Sequence, residues 1–238
     1  MRNSRLRTGL KDNWNAFMVK DASFSDNDIP FCPTRYSAAP KKIVTWTEAK
    51  HIHKIKNLKD KDYSVDALIC FYIDDYKFDG KRSSIWTFPD RAFRVIKHFK
   101  GIITPDFSTY QDFPHPIKLY NTYRMRAFGH WIWEQGYDVI NNVRWGLEDT
   151  YRYCFDGIEK NSVIAIGTVG GSPRRIKDRA RFEEGLYKMV QVLSPQTIIV
   201  YGSDNYPCFE ELRNRGIQIV SFPSETSASF MRRRDVRV

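Results

Sequence analysis

Cysteine is scarce in this sequence, and its four copies are not placed for cross-linking or metal chemistry. Cys32, Cys70, Cys154 and Cys208 lie far apart and form no C-x-x-C pair. That spacing fits neither a zinc site nor the disulfide framework of a small secreted chain. Reduced cysteines packed as small hydrophobes are expected, which agrees with a reducing compartment. No apolar run approaches the length needed to cross a bilayer. The first twenty residues carry Arg2, Arg5, Arg7, Lys11 and Lys20 but lack the apolar core of a signal peptide. A cytoplasmic protein with no membrane partner is therefore expected. Nucleotide-binding and hydrolase fingerprints are missing as well: there is no G-K-[ST] ending, no G-x-G-x-x-G and no G-x-S-x-G elbow. His51 and His53 do not have the i, i+4 spacing of a helical metal pair, and no metal site is assigned.

What is present describes a globular chain. With 238 residues, 42% apolar and 15% aromatic, there is volume for one large domain with a shared core. The formal charge of +10 is concentrated at the ends, with +4 in residues 1–20, +3 in residues 231–238 and only +3 in the long body between them. Basic ends of this kind lie along a phosphate backbone, each contact adding salt-dependent affinity, or else are simply solvated termini.

The apolar pattern predicts a series of strand–helix units. Strands are expected at 43–46, 67–73, 101–106, 138–145, 162–168, 197–201 and 217–222. Helices are expected at 47–55, from Pro89 to about residue 99, and at 117–135, 177–193 and 207–215. Apolar strands separated by helices imply an α/β fold of repeated βα units with a mostly parallel sheet. Polar residues at several strand ends (Asp74, Asp106, Arg144, Thr168, Ser203) favour a barrel-like, TIM-like arrangement over an open doubly wound sheet. The division expected is an irregular basic N-terminal extension over 1–40, a single α/β domain over 41–225 and a basic tail over 226–238.

Ligands of parallel α/β folds gather at the carboxyl ends of the strands, and that rule selects the candidate residues. After the strand ending at Thr168, Gly170 and Gly171 allow a ligand close to the backbone, and Arg174, Arg175 and the basic residues to Arg181 suit a phosphate. The plainer reading is a solvated basic helix start. Asp106, after Thr104-Pro105, is placed for general-base or metal-ligand work, or caps the following turn. Asp74-Asp75 offers the same choice, with capping preferred for Asp75. Alternation sends Asn142 and Arg144 to one side of a strand, with Trp145 alongside for stacking, though an arginine paired with a carboxylate explains Arg144 equally well. Tyr201, Gly202 and Ser203 form a strand-to-loop turn facing the same rim, and Arg124 is added as a further ligand-binding candidate. The aromatic helix 117–135 reads as core, and His130 as packed or on the helix surface.

Several of these segments resemble a known family. They are Asn27-Asp28-Ile29-Pro30, Gly101-Ile102-Ile103-Thr104-Pro105-Asp106-Phe107-Ser108 with Pro114 beyond, Asn121-Thr122-Tyr123-Arg124, Val143-Arg144-Trp145-Gly146, Phe155-Asp156-Gly157-Ile158 and Ile199-Val200-Tyr201-Gly202-Ser203. In this order, over roughly residues 27–222, the chain is similar to a family of bacterial proteins carried on phages, plasmids and other mobile elements and known only as a domain of unknown function. Ile166-Gly167-Thr168-Val169-Gly170 departs mildly from the Ser/Thr-rich strand end that the family shows there. The resemblance carries no activity; it implies a mobile-element setting, in which basic proteins often handle nucleic acid. The leading expectation is a phage- or mobile-element-type protein associated with DNA or RNA, with a phosphate- or nucleotide-compatible pocket at the strand ends. If it is an enzyme, Asp106 and Arg144 are the first choices for catalytic work. The alternative is a non-catalytic regulator or inhibitor acting through protein–protein contacts. The sequence assigns no cofactor and no reaction.

Overall fold

The computed structural model describes residues 13–35, 39–169, 176–225 and 227, the side chains of 176 and 177 excepted. Gly170, Gly171, Arg174 and Arg175 of the expected phosphate loop lie outside the described residues, as does most of both basic ends. Seven strands form: β1 (Ile43–Thr45), β2 (Val65–Cys70), β3 (Phe99–Ile103), β4 (Asp138–Asn142), β5 (Val163–Gly167), β6 (Thr197–Tyr201) and β7 (Gln218–Phe222). Among the described residues six α-helices accompany them: α1 (Trp46–Lys56), α2 (Tyr76–Asp79), α3 (Pro89–Ile96), α4 (His115–Glu134), α5 (Ile176–Leu193) and α6 (Pro207–Asn214). The β4–β5 connection carries a short 3-10 turn, Glu148–Thr150, in place of an α-helix.

Each strand pairs in parallel with the next, and spatial order follows chain order throughout. A doubly wound sheet reverses its order at a switch point. Here no reversal occurs, and the sheet forms a TIM-like half-barrel, as the strand–helix series predicted. Strand limits shift at the ends. Strand β3 starts two residues early, at Phe99, and stops before Pro105, which has no N–H to extend the ladder.

Alternation along the strands separates two faces. Leu68, Cys70, Ile103, Ile140, Val163, Ala165 and Ile199 turn inward and pack with Tyr72 and Tyr201. Ala67, Ile69, Ile102, Val139, Ile164, Ile166, Ile198 and Val200 turn outward to the helices. The curl is strong enough for the rings of Tyr72, just past β2, and Tyr201 on β6 to stack at 5.0 Å. At Gly101 a side chain would collide with the backbone of Asp138, so β3 and β4 approach as closely as they do only because that residue is glycine. Strands β1 and β7 share no ladder among the described residues. Side chains cross the gap instead. The Thr45 hydroxyl donates to Glu225 Oε1 at 2.6 Å, and the Tyr201 hydroxyl accepts from the Glu225 N–H at 3.2 Å.

Helix α4 is core, buried on nearly every side. Its inner face packs on β3 and β4, where Gly129 leaves room for Thr104 and Cys32. Residues 13–35 form a strap along it, with Ala16, Met18 and Val19 buried in a turn packed on α4, and Ile29 and Cys32 buried farther along. Main-chain oxygens of this strap accept bonds from the body: Asn13 from Trp86 and Tyr120, Phe31 from His130 Nδ1, and Cys32 from Asn141. Arg126, fully buried, donates to the carbonyls of Asn142, Cys154 and Asp156, fastening the long β4–β5 connection to α4. Burial lowers its pKa to about 10, which still leaves a cation at neutral pH.

Candidate functional site

The polar residues at the carboxyl ends of β2, β3 and β4 converge on one carboxylate. Asp106, three residues past β3, accepts from Asn142 Nδ2 at 2.9 Å through one oxygen and lies 3.3 Å from Arg144 Nη1 through the other. Asn142 ends β4 on its inner face and Arg144 follows two residues on, so one alternation delivers both to the same acid. The Asn142 amide is itself oriented. Its Oδ1 accepts from the Tyr72 hydroxyl at 2.9 Å, and its backbone N–H donates to Thr104 Oγ1 at 2.8 Å. Burial first, and then the charge of Asp106, push the Tyr72 phenol well above its ordinary pKa. It stays protonated and remains a donor, which turns the amide nitrogen of Asn142 toward Asp106. Gly167 on β5 makes room for the Tyr72 ring, since a Cβ there would stand 2.8 Å from it.

Above this floor opens a cleft of about 270 Å³. Arg144 and Trp145 line it from the β4 end, Thr109, Tyr110 and Gln111 from the loop after β3, Gly167 and Val169 from β5, and Asp178, Arg181 and Phe182 from α5. The Arg144 and Asp106 side chains are 19% and 13% exposed, so the pair is shielded, with Arg144 as the member that lines the cleft. Arg181 reaches across to donate to Gln111 Oε1 at 3.2 Å. The Trp145 indole packs against Phe182 at 5.4 Å and lies flush on α5, where Gly185 has no side chain to obstruct it. Two arginines, three rings, the amide of Gln111 and the carboxylate of Asp178 thus share one small volume, with Asp106 behind Arg144.

Of the residues selected from sequence, Asp106, Asn142, Arg144 and Trp145 come together here, and Tyr201 joins through its stack on Tyr72. Thr168, Gly202 and Ser203 meet one another instead. Thr168 Oγ1 donates to the Ser203 carbonyl at 3.0 Å, and Gly202, at φ 119°, passes where a side chain would strike that hydroxyl. Arg124 lies in the helical layer. It pairs with Asp79 at 2.6 Å, bonds Asn121 Oδ1, and lies over the Phe107 ring at 3.9 Å. Asp75 does not cap its own helix; its carboxylate accepts from the N–H and hydroxyl of Ser108, bracing the loop after β3. Burial raises its pKa, partly offset by those two bonds.

Sequence reasoning missed Tyr72 and Tyr110. For Tyr72 a signal existed, because the inward alternation Leu68, Cys70 extends to it by one step. For Tyr110, on a loop, there was none. The glycine inside α5, one turn after Phe182, was also a usable sign of close approach. Among the described residues no cluster of His, Cys, Asp and Glu is arranged to hold a metal ion, and no helix is long and apolar enough to cross a membrane.

Comparison with known proteins places this geometry in a family. Two curated relatives are Gene 1 proteins of mycobacteriophages. That of phage D29 is 29% identical over 187 residues, which is 77% of this chain and 63% of the relative. That of phage L5 is 30% identical over 197 residues, or 82% of this chain and 79% of the relative. The chain thus spans just under two thirds of the D29 protein's length. No solved structure matches. The sequence profile described as a domain of unknown function, DUF4417, matches residues 21–223, from the strap to the end of the half-barrel. The chain belongs to the DUF4417 family.

Proposed function

We propose that this phage-type protein is associated with nucleic acid and binds a phosphate-bearing nucleotide unit in the cleft at the strand ends. The observation that carries this reading is Arg144 and Arg181 lining one cleft with Trp145 and Tyr110. Guanidinium groups suit phosphate through charge and paired N–H donors, and rings suit the base. The placement also agrees with the rule that ligands of parallel barrels bind at the carboxyl ends of the strands. The phage relatives fit the phage-type part of this reading, and the basic residues near both ends of the sequence favour a polyanionic partner. Asp106, held by Asn142 and paired with the cleft residue Arg144, is the residue through which acid–base chemistry would run, and Asp178 is the acid that lines the cleft itself.

Titration calorimetry with inorganic phosphate and nucleoside 5′-monophosphates tests this reading. The parent protein should bind the monophosphates, and Arg144→Ala should weaken them roughly tenfold or more, the worth of a charge-assisted hydrogen bond. No binding by the parent, or equal binding by parent and variant, would sink the reading.

A further inference from the structure

The loop carrying Thr109, Tyr110 and Gln111 is held by buried polar side chains to a degree that a simple connection does not require. Asp75 takes both the N–H and the hydroxyl of Ser108. Asn121, buried on α4, donates to the Ser108 carbonyl and is itself fixed by Arg124, which Asp79 anchors. Lys118, also buried, donates its ammonium to the Gln111 carbonyl at 2.9 Å. Both ends of a four-residue loop are thus clamped by side chains from α2 and α4. Between the clamps Tyr110 is 50% exposed and lines the cleft, with Phe113 steadying its ring edge-on at 5.2 Å. Burying several polar and charged groups to hold one loop is costly unless its geometry matters.

The surroundings of the ring are apolar as well. Among the described residues eight large hydrophobic side chains are exposed. Two of these, Tyr110 and Val169, line the cleft, and a third, Leu147, directly follows the lining residue Gly146. An exposed ring and an aliphatic group beside a cleft that holds Arg144 and Arg181, with Asp178 as its lining acid, suit an unpaired base, whose face is apolar and whose phosphate is charged. A duplex keeps its base faces stacked and would present phosphates, sugars and base edges to this cleft but no base face.

We infer that Tyr110 is a preorganised stacking platform and that the ligand of the cleft is a nucleotide of single-stranded nucleic acid. This rests on the nucleotide reading above and narrows it. One base lies on the Tyr110 ring, and its phosphate faces Arg144 and Arg181. The clamps keep the ring in place before binding, so little ordering of the loop opposes association.

Fluorescence anisotropy with a labelled single-stranded oligonucleotide, the same strand in duplex form, and unlabelled nucleoside monophosphate as competitor tests the inference on the full chain. The parent should bind the single strand more tightly than the duplex, and the monophosphate should compete. Tyr110→Ala should weaken the single strand roughly 5- to 100-fold, the range for one base–aromatic stack, with the duplex little changed. Tyr110→Phe should restore parent affinity, because stacking needs the ring and not the hydroxyl. Equal affinity for both forms, or no effect of Tyr110→Ala, overturns the inference while phosphate binding through Arg144 stands. Absence of nucleotide binding by the parent overturns both.

Discussion

The strap layer over α4 and the mouth of the half-barrel are both rich in buried polar side chains, yet their hydrogen bonds end on different partners. In the strap layer and the β4–β5 connection beside it, side chains bond to main chain distant in sequence: Asn15 to the Trp86 carbonyl, Trp86 to Asn13 and Asn141 to Cys32 in the strap, and Arg126 to three carbonyls of β4 and the connection. At the mouth the loop after β3 is also held through its main chain, but the carboxylate at the floor is held by side chains alone, from Tyr72 to Asn142 to Asp106 to Arg144. Main-chain acceptors cannot leave, so the first pattern fixes the path of the chain. Chains of side-chain bonds are the minority in proteins, and a ligand can break and remake them without moving the backbone. The comparison teaches that burial of a polar residue does not mark a site; the nature of its partner does.

The largest effect that would break this comparison is at Arg126. Arg126→Met leaves three carbonyls unpaired in the interior and should lose about 3–5 kcal/mol, read as a lower urea midpoint. A loss as small as that of a surface change would show that the β4–β5 connection is not held to α4 as described. Asp106→Asn tests the mouth. It keeps shape and an acceptor for Asn142, so stability should change by less than about 1.5 kcal/mol. Removing the negative charge beside Arg144 should tighten phosphate binding in calorimetry, opposite in sign to Arg144→Ala, while any acid–base activity is lost. Weaker phosphate binding by Asp106→Asn would place the ligand elsewhere.

The smallest effect lies at the opposite end of the barrel, where His53, Tyr63 and His98 pack together. His53 Nδ1 meets the Tyr63 hydroxyl at 2.9 Å, and His98 stacks on the Tyr63 ring at 4.2 Å. Desolvation, then His98 and Lys97, lower the His53 pKa below its ordinary 6.5. The unfolded chain therefore binds more protons as pH falls through 6.5, and stability should drop there. Comparing thermal unfolding at pH 7.5 and pH 5.5 should show a fall that His53→Phe reduces. An unchanged fall would assign it to other groups.

Much of the fold was legible because it depends on local pattern. Seven apolar segments, the stops at Gly136 and Gly216, and the helical stripe from Phe182 through Leu193 each report on their own few residues. The pairing of Asn142 with Arg144 was legible for the same reason, since a strand alternates whatever surrounds it. The loop after β3 was not legible: its conformation comes from Asp75, Lys118 and Asn121, which contribute from other elements. Arg124 shows the same limit, because an arginine's donors look alike in sequence whether they meet a ligand or Asp79.

The sequence by itself determined the strand–helix series, its parallel character and the family, all of which follow from hydrophobic periodicity and segment order. Only the tertiary structure decided that the sheet curls until Tyr72 stacks on Tyr201, that Asp106 receives both Asn142 and Arg144, and that Tyr110 stands on a clamped loop. The physical reason is range. Periodicity reflects contacts within a few residues, whereas a site is made by side chains that the curl of the sheet brings together from strands tens of residues apart.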